Sequence, residues 1–178
     1  EQEISTETKV LDTACAVGGN ARWMASLYGC KVYGNDIDEQ ALTVARDLAE
    51  IENISELCTF VKAPVEDLPF DDNSFDMVVT TDVYAPAEVK RVLKPGGSFI
   101  VISLFEDPKV TPLQLAKSWG LELEISLDVT DLALAFNRAK ETEARLLHES
   151  KMIDARELID IMNESIVPYT RGGHHYIL

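Results

Sequence analysis

Two acidic residues and a run of small residues between them are the part of this sequence best suited to chemistry. Asp12 follows an apolar pair, and the small residues at positions 13–19 then lead into a helical pattern. Small side chains let backbone N–H groups approach a ligand closely, and a helix N-terminus favours negative charge. Asp36 ends the next apolar segment, where one carboxylate can accept both hydroxyls of a ribose. These residues predict a site for a nucleoside ligand.

Alternating strands and helices would position these residues. The patterns predict strands at residues 10–14, 31–35, 58–62, 77–82, 99–104 and 121–127, with a seventh starting at 175–178. They predict helices at residues 18–28, 39–51, 87–93, 112–119, 131–148 and 154–163. Strands that alternate with helices are typical of a parallel, doubly wound α/β sheet.

Blocks in the order of a known family cover much of residues 9–104. Asp12, Ala14, Ala16 and Gly18 resemble the acid and G-x-G-x-G of class I S-adenosylmethionine (SAM) methyltransferases, with alanine at two glycine positions. Residues 66–79 resemble the family's adenine loop and fourth strand, and residues 91–97 followed by 98–102 resemble its turn into strand five. Within this family the chain resembles the small-molecule group that includes quinone, sterol and glycine/sarcosine methyltransferases. An NAD-linked dehydrogenase is disfavoured because G-x-G-x-x-G is absent.

The resemblance implies a Rossmann-like, seven-stranded sheet, mostly parallel with an antiparallel last strand. It also implies SAM as cofactor and S-adenosylhomocysteine as product. Relatives carry an acid at the position of Pro64, so Glu66 or Asp67 would take over the adenine amino group here. The implied cofactor-binding residues are Asp12, Ala14, Ala16, Gly18, Asp36, Ile37, Val65, Glu66, Thr80 and Thr81.

Some of these residues also have structural interpretations. Asp12 could cap its own turn by accepting loop N–H groups. Asp38, close to the expected ribose acid, is better placed to cap the helix that begins at Glu39. Thr80 and Thr81 could serve turn chemistry at the end of strand four, and Gly19 could serve helix packing.

Catalysis is less defined by the sequence than cofactor binding. Methyl transfer from an activated sulfonium needs mainly alignment, and a base only if the acceptor must lose a proton. The candidates are Asp82, Tyr84 and His174, with His175 beside His174 as an equal choice, and Arg171 could hold an anionic group of the substrate. No residue pattern calls for a metal.

Composition narrows the choice of acceptor. The net charge is −15 and no cluster of lysines and arginines stands out, which disfavours RNA and DNA. We expect a small, neutral or cationic acceptor, bound between the end of strand four and residues 131–148, where Leu132, Leu134, Phe136 and Leu146 could line a pocket. Three cysteines without C-x-x-C spacing suit a reducing cytoplasm. No apolar run reaches the ~20 residues of a membrane span.

The expected organisation is one methyltransferase domain over residues 1–178, as a monomer or homodimer. Relatives carry N-terminal helices that cap the cofactor and a longer segment after strand four, and we expect both to be missing from this chain. The main alternatives are an RNA or protein methyltransferase and a non-catalytic SAM-binding protein of the same fold. Ala16 and Pro64 favour the last of these.

Overall fold

The computed structural model describes residues 4–83, 85–105, 111–128 and 174–177. The chain divides into two compact units, Glu1–Ile102 and Ser103–Leu178. The elements of the first unit are β1 (Lys9–Thr13), α1 (Gly19–Tyr28), β2 (Lys31–Asp36), α2 (Glu39–Ile51), β3 (Cys58–Lys62), β4 (Phe75–Thr81), α3 (Pro86–Val92) and the greater part of β5 (Leu93–Phe105). The second unit contains α4 (Pro112–Ser118), β6 (Leu127–Asp128) and β7 (His174–Ile177).

The first unit is built on five parallel strands in the order β3-β2-β1-β4-β5. The chain runs outward through β2 and β3 on one side of β1 and through β4 and β5 on the other. The carboxyl ends of the central strands lie side by side, with Thr13 of β1 between Asn35 and Thr80. Ligands of open α/β sheets bind at such a reversal of strand order. The Rossmann-like α/β prediction is confirmed for these strands.

The two faces of the sheet carry separate apolar clusters, as expected for buried parallel strands. On one face, Val10, Val32 and Met77 pack with the small buried residues of α1 and α2. On the other face, Leu11 and Val78 pack with residues of α3 and with Leu68, Phe75 and Leu93. Residues next to each other in β1 therefore point to opposite faces of the sheet. The same alternation sets the direction of the side chains at the strand ends.

The predicted bounds of the first four strands and the first four helices agree with the structure to within two residues, and two later strands differ more. The bounds of α2 and β3 are those predicted. β5 begins at Leu93 rather than at residue 99, because Leu93 pairs with Phe75 and the register then shifts before Ser98 pairs with Met77. The prediction of a strand at residues 121–127 was wrong, since only Leu127–Asp128 form β6.

The failed strand illustrates the limit of apolar alternation as a signal. Ile125 and Leu127 alternate as a half-buried strand would, yet they are 57% and 53% exposed. β6 pairs antiparallel with β7, which begins one residue before the predicted start. The helices predicted at residues 131–148 and 154–163 lie outside the described residues. Within the described ranges, no helix is both long and apolar enough to cross a bilayer.

Candidate functional site

The loop between β1 and α1 keeps a glycine-like backbone although two of its residues are alanines. Ala14, Ala16 and Gly18 have φ angles of 52°, 47° and 71°. The left-handed region costs a residue with a Cβ roughly 1–2 kcal/mol relative to ordinary helical backbone. Gly18 has a second constraint, because a Cβ there would lie 2.7 Å from the ring of Phe60. The turn shape is thus retained at the expense of backbone strain.

Asp36 ties this loop to the end of β2. Its Oδ2 accepts the N–H of Ala16 at 2.8 Å, and its Oδ1 accepts the N–H of Asp38 at 2.9 Å. Each carboxylate oxygen has a second lone pair with which to accept a further hydrogen bond. The next residue, Ile37, is 69% exposed and offers an apolar surface beside the carboxylate. Acid and apolar surface together fit a ribose and the purine attached to it.

Asp38 has a different role from its neighbour. Its carboxylate accepts the N–H groups of Gln40 and Ala41, at 2.8 and 3.4 Å, and so caps α2. The predicted capping role is confirmed.

Asp12 is a buried carboxylate under the start of α1. It is 1% exposed, and its Oδ2 accepts the N–H of Ala21 at 3.1 Å. Burial raises the pKa of Asp12 to about 7, against the opposing effect of hydrogen bonds from Ala21 and Asn20. The negative charge of Asp36 raises this pKa further. Asp12 therefore anchors the first turn of α1 to β1 and carries a charge that depends on pH near neutrality.

The end of β4 faces the same region. Thr81 is exposed, and its Oγ1 accepts the side-chain amide of Asn20 at 3.2 Å. Thr80 is completely buried, and its hydroxyl donates to the backbone carbonyl of Val83. Asp82 is exposed with a φ of 61°, and its N–H donates to the carbonyl of Ile102 at 3.0 Å. Thr80 thus holds the chain that follows β4, whereas Thr81 and Asp82 lie at the surface.

Asn20 was missed by the sequence analysis. It reaches both Asp12 and Thr81, which end strands far apart in the sequence. It follows two glycines in the first turn of a helix, where an asparagine is unremarkable, so no local pattern would single it out.

The loop between β3 and β4 forms the other side of the site. The N–H of Ala63 donates to the backbone carbonyl of Asp36 at 3.0 Å, so this loop starts next to the acid. Val65 is buried, whereas Pro64 and Glu66 are exposed. Asp67 is exposed as well.

Hydrogen bonds in the structure connect some of the predicted site residues to one another. Hydrogen bonds join the loop of residues 14–18 to Asp36, and join Asp12 through Asn20 to Thr81. Tyr84 lies outside the described residues. His174 begins β7 in the second unit. Among the residues that the structure describes, no cluster of three or more metal-binding side chains occurs.

Relatives by sequence are methyltransferases. The chain is 37% identical over 114 residues to a glycine/sarcosine/dimethylglycine N-methyltransferase of Actinopolyspora halophila, covering 60% of this chain and 20% of the relative. It is 42% identical over 104 residues to the sterol 24-C-methyltransferase ERG6B of Gibberella zeae, covering 54% and 27%. The chain therefore spans well under half the length of either relative.

Solved structures share the fold across nearly the whole chain. The geranyl diphosphate C-methyltransferase from Streptomyces coelicolor A3(2), in complex with Mg²⁺, geranyl diphosphate and S-adenosylhomocysteine, matches with a TM-score of 0.67 at 17% identity over 98% of this chain and 72% of that one. The 4+2 cyclase SpnF matches with a TM-score of 0.75 at 19% identity over 98% and 74%. At these identities the likeness concerns the fold alone.

The family model of the methyltransferase domain matches residues 11–101, which include most of β1, the loop of residues 14–18, Asp36 and β4. The match thus covers the elements that build the site and extends over half of the sequence. This chain belongs to the methyltransferase-domain family, whose enzymes use S-adenosylmethionine.

Proposed function

We propose that this chain binds SAM at the carboxyl edge of β1, β2 and β4 and transfers its methyl group to a small-molecule acceptor. The observation that carries the proposal is the Asp36 carboxylate, which meets the glycine-like loop at the N–H of Ala16, 2.8 Å away. A ribose held by the remaining lone pairs of Asp36 would have its base against Ile37. The other end of the cofactor would then lie along residues 14–18, near Asp12.

The contacts of this ligand can be divided among the chain's own groups. Backbone of Ala14, Ala16 and Gly18 would approach the methionine part of the cofactor without side-chain interference. Asp12 would hold that part indirectly, since its carboxylate is buried beneath α1. The backbone N–H of Val65 and the side chain of Glu66 would meet the adenine.

The reaction itself places modest demands on the protein. SAM, when bound, would supply an activated methyl group, and the acceptor's lone pair would form the new bond as the bond to sulfur breaks. The chain's task is then alignment and the exclusion of water. Thr81 and Asp82 lie at the edge that the methyl group would face, and Asp82 is our candidate to receive an acceptor proton. Tyr84 and His174 remain candidates to receive this proton.

The acceptor is proposed to be small and neutral or cationic. A net charge of −15 repels a polyanion, and the relatives named above act on glycine derivatives and sterols. We further propose that the whole chain forms one domain, with a seven-stranded sheet and an antiparallel last strand, and that it works in the cytoplasm.

The first experiment measures binding by calorimetry. S-adenosylhomocysteine should bind in the micromolar range and raise the melting temperature, since it binds only the folded state. NAD should not bind. Tighter binding of NAD than of S-adenosylhomocysteine would overturn the proposal.

The second experiment follows the label of tritiated-methyl SAM into a fractionated small-molecule extract, into RNA and into protein. Incorporation into a small molecule, lost in Asp36→Ala, is the expected result. Incorporation only into RNA or protein would overturn the proposed acceptor class but not the activity. Binding of S-adenosylhomocysteine with no transfer to any acceptor would favour the non-catalytic alternative, since a fold alone does not settle activity.

A further inference from the structure

Arg91, in the last turn of α3, uses all five of its N–H groups in hydrogen bonds. Two of them form a fork with the carboxylate of Glu88, at 2.8 and 2.7 Å. The other three cross to the loop between β3 and β4, where they reach the backbone carbonyls of Leu68 at 2.9 Å and Phe70 at 2.7 Å and the carboxylate of Asp72 at 2.9 Å. One side chain thus fixes the loop at three points.

Glu88 adds a fourth point of attachment. Its Oε2 accepts the backbone N–H of Leu68 at 2.9 Å, so Glu88 and Arg91 hold both polar groups of that residue's backbone. The hydrogen bond from Arg91 and the N–H of Leu68 lower the pKa of Glu88 to about 2. The pair therefore stays ionised over the whole physiological range.

Backbone and apolar contacts complete the attachment. The N–H groups of Asn73 and Ser74 donate to the carbonyls of Arg91 and Val92, at 2.9 and 2.7 Å. Leu68 is 3% exposed within the cluster under α3. The loop is thus fastened along its second half, while Pro64 and Glu66 in its first half are exposed.

The first half of this loop is the part that would meet the adenine. It begins at Ala63, whose N–H is hydrogen-bonded to the backbone of Asp36. A proline stands at position 64, and its ring has no polar side-chain atom to accept the adenine amino group. Recognition of the base would then depend on the backbone of Val65 and on Glu66, whose positions depend on where the loop is held.

We propose that Arg91 and Glu88 are positioning residues for the adenine end of the cofactor, and that they set the discrimination between adenine and other purines. The inference rests on the proposed SAM site. This positioning role differs from a purely structural role, because it affects how the protein binds the adenine end of the ligand and not the other end.

The test compares S-adenosylhomocysteine with S-inosylhomocysteine, in which a carbonyl replaces the adenine amino group. Wild-type protein should bind the inosine compound about tenfold or more weakly, as expected when polar partners lose their match. Arg91→Lys keeps the charge but loses the fork. It should weaken S-adenosylhomocysteine about tenfold and reduce the ratio of the two affinities to roughly twofold.

Glu88→Gln and Lys94→Gln are the companion variants. Glu88→Gln keeps the shape and the acceptor for Leu68, so it should reduce the ratio in the same direction even if Arg91→Lys does not fold. Lys94→Gln breaks an ion pair of 2.6 Å with Asp76. Asp76 also accepts the N–H of Lys9, so this pair lies at the amino edge of the sheet and should leave the ratio unchanged.

Four outcomes separate the possibilities. The inference would be overturned if Arg91→Lys and Glu88→Gln each lost the same affinity for both ligands. It would also be overturned if neither variant lost affinity. Wild-type binding of S-adenosylhomocysteine without discrimination would overturn it too, while leaving the SAM site standing. Failure of wild-type protein to bind S-adenosylhomocysteine would instead remove the proposed function.

Discussion

The loop after β1 and the loop after β3 both contact Asp36, and they are held by different means. The loop of residues 14–18 is short and has positive φ angles, and it is held to the end of β2 by two of its own N–H groups: that of Cys15 donates to the carbonyl of Asn35 at 2.9 Å and that of Ala16 to the carboxylate of Asp36 at 2.8 Å. The loop of residues 63–74 is longer and is fixed from α3, mainly by Arg91 and Glu88. A short loop can be shaped by its local conformation, whereas a longer one needs partners from elsewhere in the chain.

The difference has consequences for substitution. Substitutions in and under the first loop should change the strain of its backbone and the charge of Asp12 beneath it. Changes that affect the second loop should act at a distance, through a helix that is not itself part of the proposed site. The three predictions below probe the first loop and its two anchors, Asp12 and Asp36.

The largest effect is expected for Asp12→Asn, measured as stability against pH. Burial raises the pKa of Asp12 from an ordinary 3.8 to about 7. Between these values the unfolded chain releases a proton that the folded chain retains, so stability falls as pH rises from about 4 to about 7. At about 1.4 kcal/mol per pKa unit, the cost above pH 7 is up to about 4 kcal/mol. Asparagine carries no charge and can still accept from Ala21.

Urea denaturation from pH 4 to pH 8 measures this effect. The variant and the wild type should be similar near pH 4, and the variant should be more stable at pH 8. Stability curves that stay parallel across this range would mean that Asp12 is ionised in the folded protein throughout. The first loop would then be anchored by an Asp12 carboxylate that stays charged from pH 4 to pH 8.

The next effect is on binding and separates two neighbouring acids. Asp36→Ala should weaken S-adenosylhomocysteine by roughly 1.5–3 kcal/mol, the range for hydrogen bonds to charged groups. Asp38→Ala removes the cap of α2 and should cost about 1 kcal/mol of stability with little change in binding. Calorimetry and thermal melts of both variants check this. The reverse pattern would place the ribose at Asp38 and detach the first loop from the ligand.

Much of the first loop could be predicted because its signals are local. The order of apolar pair, acid, small residues and helix specified β1, the turn and α1 from neighbouring positions. The bounds of α2 followed from the cap at Asp38 and the apolar spacing. Asp36 followed in the same way, because an acid that ends the second apolar segment needs only the end of β2 to be located.

The second loop could not be predicted in the same way. Arg91 contacts Leu68 across 23 positions, and Asn20 contacts Thr81 across 61. Such pairs depend on how helices pack on the sheet, which no local spacing encodes. Arg91 lay within a block that resembled the family, yet its sequence gave no reason to connect it with the adenine loop. The early start of β5 has the same origin, since it depends on pairing between Leu93 and Phe75.

The smallest effect concerns the alanines of the first loop. Ala14→Gly and Ala16→Gly should relieve a left-handed strain of roughly 1–2 kcal/mol each. Glycine also gains about 0.4–1 kcal/mol of entropy in the unfolded chain, so the net stabilisation should be about 0.5–1 kcal/mol.

Gly18→Ala is the matched opposite, because its Cβ would meet the ring of Phe60 at 2.7 Å. It should destabilise the protein, while Ala16→Val should block binding of S-adenosylhomocysteine through its bulk. Chemical denaturation and calorimetry measure the four variants. If both glycine variants lose stability, the strain at Ala14 and Ala16 is smaller than the entropy that glycine adds to the unfolded chain, and the backbone of the first loop is not strained as inferred.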